Sequence, residues 1–471
     1  VLLIFSNDSW GFFEEQHSHI YSYLIRRVAM KISKILSTTL IGGALLFDGS
    51  CLHAETLQDA IGTMLQTNPE IRSMAHNRLG RDEEVRQAKS GYLPEINFSA
   101  GVGVQDIQEP TNDNLTPQQY TLSLRQNVFT GLATNNEVGR QKARVQSQAY
   151  SLQGASENTA LRTAEVYLNV LRQQELHRLS QENLDSHVRI ADQINLRTES
   201  GVASKSDSDQ VAARLSLAQA NVVATNTNLV DAHTNYLAVV GHLPTDLQEP
   251  TPPDSLMPAS LQDAEAEAIK MHPTLKSAGA DLEARQKQSE VAKAPYWPII
   301  DLEVDQNWEE DYDTVGKKES LIAMARLRYN LFRGFKDEAR RAETVELVSE
   351  AREIRNNTHR QVVESMRLSW MAYQAVKDQI KYLEQRVDFS IGTIDAYTKQ
   401  FNLGKRTLLD VLDSDAEVID AKRALVAARY DGLYAQYRIL NGLGQLVKSF
   451  DKEWPKESQV TIGSLVESEK Q

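Results

Sequence analysis

The chain has 471 residues, with 64 acidic against 51 basic side chains and a net charge of -13. That balance argues against a nucleic-acid-binding protein, which needs a clustered basic face. Only 7% of residues are aromatic, and the abundance of Ala, Gln, Leu, Glu and Arg suits long helices better than an aromatic-rich enzyme core.

Taken in chain order, the first feature is a leader. Met30, Lys31 and Lys34 precede the apolar run 35–47, and "DGSCLHA" then ends on the small residue Ala54. This order predicts a cleaved export signal within 1–54, with translation starting at Met30 and residues 1–29 an upstream extension. A membrane helix needs about 20 apolar residues, more than this run supplies. Cys51, the only cysteine, falls in the leader. Asp48-Gly49-Ser50 before it lacks the apolar residue of a lipidation box, so the mature chain is read as free of thiol and disulfide. No later run reaches 18 consecutive apolar residues, so any membrane crossing must use β-strands.

The remainder is a duplication. "LQDAIGTMLQTNPEI" (57–71) matches "LQDAEAEAIKMHPTL" (261–275), and "AKSGYLPEINF" (88–98) matches "AKAPYWPIIDL" (292–302), both at an offset of 204. "RQNVFTG" (125–131) matches "RYNLFRG" (328–334), Gly201 matches Gly404, and Asp207 matches Asp410, all at 203. Repeat 1 is placed at 55–247 and repeat 2 at 261–447, joined by a proline-rich linker at 248–260 and followed by a polar tail at 448–471.

Each repeat predicts the same elements. A short helix stops at Asn68-Pro69 or His272-Pro273, where a second helix starts with proline at its first position. Two strand runs follow, at 96–104 and 119–129 and again within 299–330. Ile96, Phe98, Ala100, Val102 and Val104 alternate with small polar residues, and Leu302, Val304 and Trp308 alternate with Asp301, Glu303, Asp305 and Asn307. Strands of about ten residues with one apolar and one polar face suit a transmembrane barrel with a wet lumen. Two hairpins cannot close a barrel, so this reading requires oligomerisation. Proline-free runs at 132–200 and 335–402 then predict helices of about 100 Å each, packed as coiled coils. A glycine break at Gly201 or Gly404 leads into a last helix of about 35 residues.

The second break lies in "FNLGKRTLLDVLDSD" (401–415). Thr407-x-x-Asp410 and Ser204-x-x-Asp207 both read as capping boxes. Asp413 lies a turn further in, where capping does not account for it. "EEDYD" (309–313) reads as a solvated turn, with calcium binding the weaker alternative. No metalloprotease, nucleophile-elbow or phosphate-loop motif occurs, so neither catalysis nor a cofactor or metal is expected.

The stretch 404–446, together with 68–94 and 122–134, resembles the TolC family of outer-membrane channel-tunnels, and the resemblance runs over about 55–447. It implies a mainly α fold with a membrane β part. Three chains would share a 12-stranded barrel in a Gram-negative outer membrane, four strands each, continued by a periplasmic α-helical barrel. It also implies a periplasmic adaptor, an inner-membrane transporter of ABC type and an exported cargo. Residues 404–446 resemble the last tunnel helix of the family's type member, whereas 68–94 and 122–134 are more similar to the branch serving type I secretion of large adhesins. Type I protein secretion is the function this implies, the alternative being the outer-membrane part of a drug or metal efflux pump. A periplasmic coiled-coil adaptor is disfavoured, because it would carry one helical hairpin rather than two in tandem. Carried over by position, Asp410 and Asp413 form the constriction. Arg406 forms a tip latch with Ser206 and Asp207, and Phe401 stands where the family usually has tyrosine. Gly201, Val202, Ala203, Gly404 and Lys405 form turns that face the adaptor.

Overall fold

The computed structural model describes residues 54–108, 113–251, 253–312 and 315–459, so the leader, with Met30 and Cys51, and residues 460–471 lie outside the described residues. Thr56 caps helix α1 (Leu57–Thr67) in a reciprocal box with Asp59. Asn68 then accepts hydrogen bonds from the backbone N–H groups of Glu70 (2.9 Å) and Ile71 (3.4 Å) to start α2 (Pro69–Ser90). The side chain thus supplies acceptors that the first turn of a helix lacks.

The first strand is shorter than the sequence run suggested. β1 (Glu95–Val102) stops before the Gly103-Val104 step. A small ribbon of β2 (Gln105–Ile107) and β3 (Asp113–Leu115) then prolongs the hairpin before β4 (Gln118–Phe129) returns. The chain continues into α3 (Ala133–Glu199) and α4 (Lys205–Val240). Repeat 2 gives α5 (Leu261–Met271), α6 (Pro273–Val291), β5 (Ile299–Glu310), β6 (Lys317–Arg328), α7 (Lys336–Asn402) and α8 (Leu408–Gly442). A short helix α9 (Leu446–Ser449) follows. Both long helices have 67 residues, about 100 Å. Among the described residues no helix is long and apolar enough to cross a membrane.

The two hairpins join into one antiparallel sheet in the order β1-β4-β5-β6. Its register places Leu124 opposite Val304 and Leu302 opposite Ala325, so one apolar face runs across all four strands. The other face carries Arg125, Asp301, Glu303, Arg326 and Arg328. Asp301 is fully buried beneath Arg328, and Glu303 accepts from Arg326 (2.6 Å) and pairs with Arg125 (3.1 Å). These pairs cross neighbouring strands and fix their register. Among the described residues β1 and β6 are the edges of the sheet, with backbone that no other strand pairs, and nearly every residue along them is exposed.

The strand-to-helix junctions explain the repeated "FTG" and "FRG". Gly131 and Leu132 both adopt left-handed backbone (φ 62° and 65°), as do Gly334 and Phe335 (φ 61° for each). Two consecutive left-handed residues turn the chain from strand to helix. The leucine and phenylalanine accept a conformation that L-residues disfavour.

The main core lies midway along the helices. There α1, the linker and α9 cover one face of α3 through Ala160, Ala164, Tyr167 and Leu171. The Tyr167 hydroxyl lies 2.8 Å from the Glu55 carbonyl and 2.6 Å from that of Gln248, tying the start of repeat 1 to the linker. Residues 448–459, read as a polar tail, lie against α3, with Phe450 and Trp454 packed on this core.

Candidate functional site

The site is built on the duplication. α3 packs against α2 and α4 of its own repeat and against α6 and α8 of the next. α7 packs against α5, α6 and α8 of its own repeat, and among the described residues no helix of repeat 1 packs against it. Positions that correspond at the offset of 203 therefore differ sharply. Leu168 is 3% exposed and Met371 62%; Leu179 is 2% exposed and Tyr382 65%.

The seam between α3 and α8 runs antiparallel, from Asn158–Asn441 through Arg172–Asp431 and Ser180–Arg423 towards the tip. Arg162, Glu165, Asn169 and Arg172 line an open groove between α4 and α8. At 100° per residue these positions lie on the face of α3 opposite Glu157, Ala160, Ala164 and Leu171, which the α1 and α9 layer covers.

At the tip the two hairpins share a second, small core. Ala191 and Ile194 of α3, Val211 of α4, and Leu408 and Leu412 of α8 are buried together, with Phe401 packed against them. The Arg197 guanidinium lies 5.1 Å from the Phe401 ring centroid. Gly201 (φ 74°) and Gly404 (φ 71°) make the turns. The Val202 N–H donates to the Arg197 carbonyl (2.8 Å), and the Lys405 N–H donates to that of Gln400 (2.9 Å). Both are helix-ending motifs that glycine closes without strain. Val202 and Lys405 project outwards, while Ala203 is half-buried.

Both capping boxes form. Asp207 accepts from the Ser204 hydroxyl (2.9 Å) and backbone N–H (3.1 Å), and Ser206 shares its hydroxyl with Ser204 (2.7 Å). Asp410 accepts from the Thr407 hydroxyl (2.8 Å) and backbone N–H (3.1 Å). The Thr407 hydroxyl, aided by the Thr407 N–H and Arg406, holds the Asp410 carboxyl below the usual carboxylate range. Within one chain Arg406 meets neither Ser206 nor Asp207. It stacks on Tyr397 (4.2 Å to the centroid), donates to Gln400 (3.1 Å) and lies 3.7 Å from Asp410.

Asp413 has a partner that sequence reasoning missed. Arg214 of α4 donates to it at 2.7 Å, reaching from one hairpin to the other. Two residues on, Asp415 accepts from Asn183 (3.2 Å) and lies 3.6 Å from His187, both on α3. Burial pushes Asp415 up and His187 down. Arg214 carries no sequence signal: it is one arginine on a solvated helix face, and its partner lies 199 residues further on.

This architecture has close parallels among known proteins. The family model described as "Outer membrane efflux protein" matches residues 60–242 and 266–445, one segment per repeat. The chain is 24% identical over 417 residues to the outer membrane efflux protein BepC of Brucella suis, covering 88% of this chain and 90% of that one. It is 24% identical over 438 residues to the outer membrane protein TolC of Escherichia coli, covering 88% and 87%. Among solved structures, the outer membrane protein VceC of Vibrio cholerae superposes with a TM-score of 0.72 at 18% identity, covering 82% of this chain and 96% of that one. The CmeC outer membrane channel of Campylobacter jejuni gives 0.74 at 14% identity, covering 83% and 86%. With both repeats matched, the chain belongs to the outer membrane efflux protein family, the TolC-type channel-tunnels.

Proposed function

We propose that three copies of this chain close head to tail into one conduit through the outer membrane and across the periplasm. One observation carries the reading: surfaces buried in repeat 1 are bare in repeat 2, as Leu179 and Tyr382 illustrate. A neighbouring copy's first repeat would cover α7 as repeat 2 covers α3. The same step pairs the free edge of β6 with that of a neighbour's β1, removing both edges. Two copies would give eight strands, whose interior is filled by side chains, whereas twelve leave an open lumen. Apolar residues would then face lipid, and Arg125, Arg326 and Arg328 would face water.

The conduit exports what an inner-membrane transporter delivers through a periplasmic adaptor, and it catalyses no reaction. Efflux is better supported than type I secretion, because the family description and the Brucella relative's name both say efflux. Secretion through an ABC transporter is the second reading, and co-purification of the transporter separates the two. The exposed turns at Gly201, Val202, Ala203, Gly404 and Lys405 face the adaptor.

Asp410 and Asp413 of three chains would form stacked acidic rings at the narrowest point. In planar-bilayer recordings, millimolar divalent cations are expected to block the wild-type pore. D410A/D413A should escape the block, and an equal block in that variant removes the rings. A latch between Arg406 and the neighbouring copy's Ser206 and Asp207 would contribute about 0.2–1 kcal/mol per contact, weak enough for an adaptor to open. In the same recordings Arg406→Ser should raise resting conductance; a tight Arg406→Ser pore argues against the latch.

A further inference from the structure

We propose that Arg214 sets the ion selectivity of the constriction, by masking Asp413 for as long as the two hairpins stay together. The inference rests on the channel reading above. Asp410 and Asp413 sit one turn apart, yet they are satisfied differently. Asp410 is held by Thr407 and Arg406, all within the second hairpin. Those partners move with it. Asp413 is held by Arg214, which belongs to the first hairpin.

The pair lies at a wet surface, with side chains 32% and 58% exposed, so it can exchange partners with dissolved ions. It also lies on the groove side. Asp413 precedes Asp431, a groove-lining residue, by 18 positions, which is five helical turns and returns to the same face of α8. In a closed ring that side, free of the α1 and α9 layer, faces the lumen.

Charge at the constriction therefore depends on hairpin position. With the hairpins together, the two acids of each chain face two arginines, Arg214 and Arg406. Parting the hairpins leaves Arg406 beside Asp410 but takes Arg214 from Asp413. Three carboxylates per ring are then unmasked at once. A weakly selective closed pore thus becomes cation-selective as it opens.

The test is the reversal potential of the trimer under a potassium chloride gradient, with magnesium as the blocking probe. Arg214→Ala is expected to move the reversal potential towards the potassium equilibrium value and to lower the half-blocking magnesium concentration several-fold. Arg214→Lys keeps the charge and should behave as wild type. On a D413A background, Arg214→Ala should change neither quantity. Wild-type selectivity and block in a conducting R214A pore overturn the inference while leaving the channel reading intact. No pore from the wild-type trimer overturns both.

Discussion

Replacing Glu157 by alanine is expected to release the chain's C-terminal segment from α3. Glu157 is a buried carboxylate in the middle of a long helix, and its partners lie about 290 residues away in sequence. Its oxygens accept from the backbone N–H of Leu446 (2.8 Å) and Val447 (3.4 Å) and from the Trp454 indole (2.7 Å). Next to it, the Gln153 amide donates to the Ser458 carbonyl (3.0 Å). Alanine would strand three buried donors and leave a cavity, a loss of about 3–5 kcal/mol. Hydrogen exchange at Leu446 and Val447 reads the effect, and unchanged protection would contradict it. Burial pushes the Glu157 carboxyl up to about 7, against the opposing pull of Trp454, Leu446 and Val447. A folded-state value above the unfolded 4.5 means the group's contribution is complete below about pH 4.5 and is lost as pH rises through about 7. The shift corresponds to about 3 kcal/mol. Anchoring of the segment should therefore weaken between pH 5 and 8 in the wild type, and Glu157→Gln should flatten that slope.

Gly131→Ala should cost nearly as much, for a different reason. The residue has φ 62°, a conformation that costs an L side chain about 1–3 kcal/mol. An added Cβ would also lie 2.5 Å from the Ala294 carbonyl oxygen, a backbone atom that cannot swing aside. The junction of the two hairpins would be forced open, and the yield of folded protein should fall sharply. Gly334, its repeat counterpart, has φ 61°, but a Cβ there would meet none of the described residues within 4 Å. In an isolated chain Gly334→Ala should carry the backbone cost alone. If a neighbouring copy closes on Gly334 as Ala294 closes on Gly131, the same change should also abolish assembly. Equal damage by both variants to the monomer would contradict that reasoning.

Much of this fold is legible because a repeat reports on itself. The offset of 203 to 204 aligns elements whose local patterns are weak singly, and the absence of proline delimits helices of 67 residues. Strand alternation gives the two faces of the sheet, because side chains must alternate along a strand. The β2–β3 ribbon was not legible: three-residue strands beside Gly103 leave no periodicity to read. At the tip, the capping boxes follow from local spacing and were readable. The Arg214–Asp413 bridge, the Asn183–His187–Asp415 cluster and the shared apolar core join different hairpins. Each depends on how α3, α4 and α8 rotate against one another, which neither helix sequence encodes alone. The Glu157 anchor has the same character, as a single charged residue whose meaning lies in a distant segment.

Closing the ring would join β6 to a neighbour's β1, and the duplication fixes the register of that pairing. β4 and β5 pair residues whose numbers sum to 428, as in Arg125 opposite Glu303. Moving β4 forward by 203 to β6, and β5 back by 204 to β1, gives a sum of 427, which sets Leu327 opposite Ala100 of the next copy. Both residues belong to the apolar face, as closure requires. The described residues contain no cysteine, so a pair introduced there has no competing thiol among them. Oxidising A100C/L327C in outer membranes should give a covalently closed trimer on denaturing gels, while A100C/A323C, four residues out of register, should stay monomeric. Monomer alone from A100C/L327C, or equal cross-linking of both pairs, would rule out a ring closed through β6 and β1.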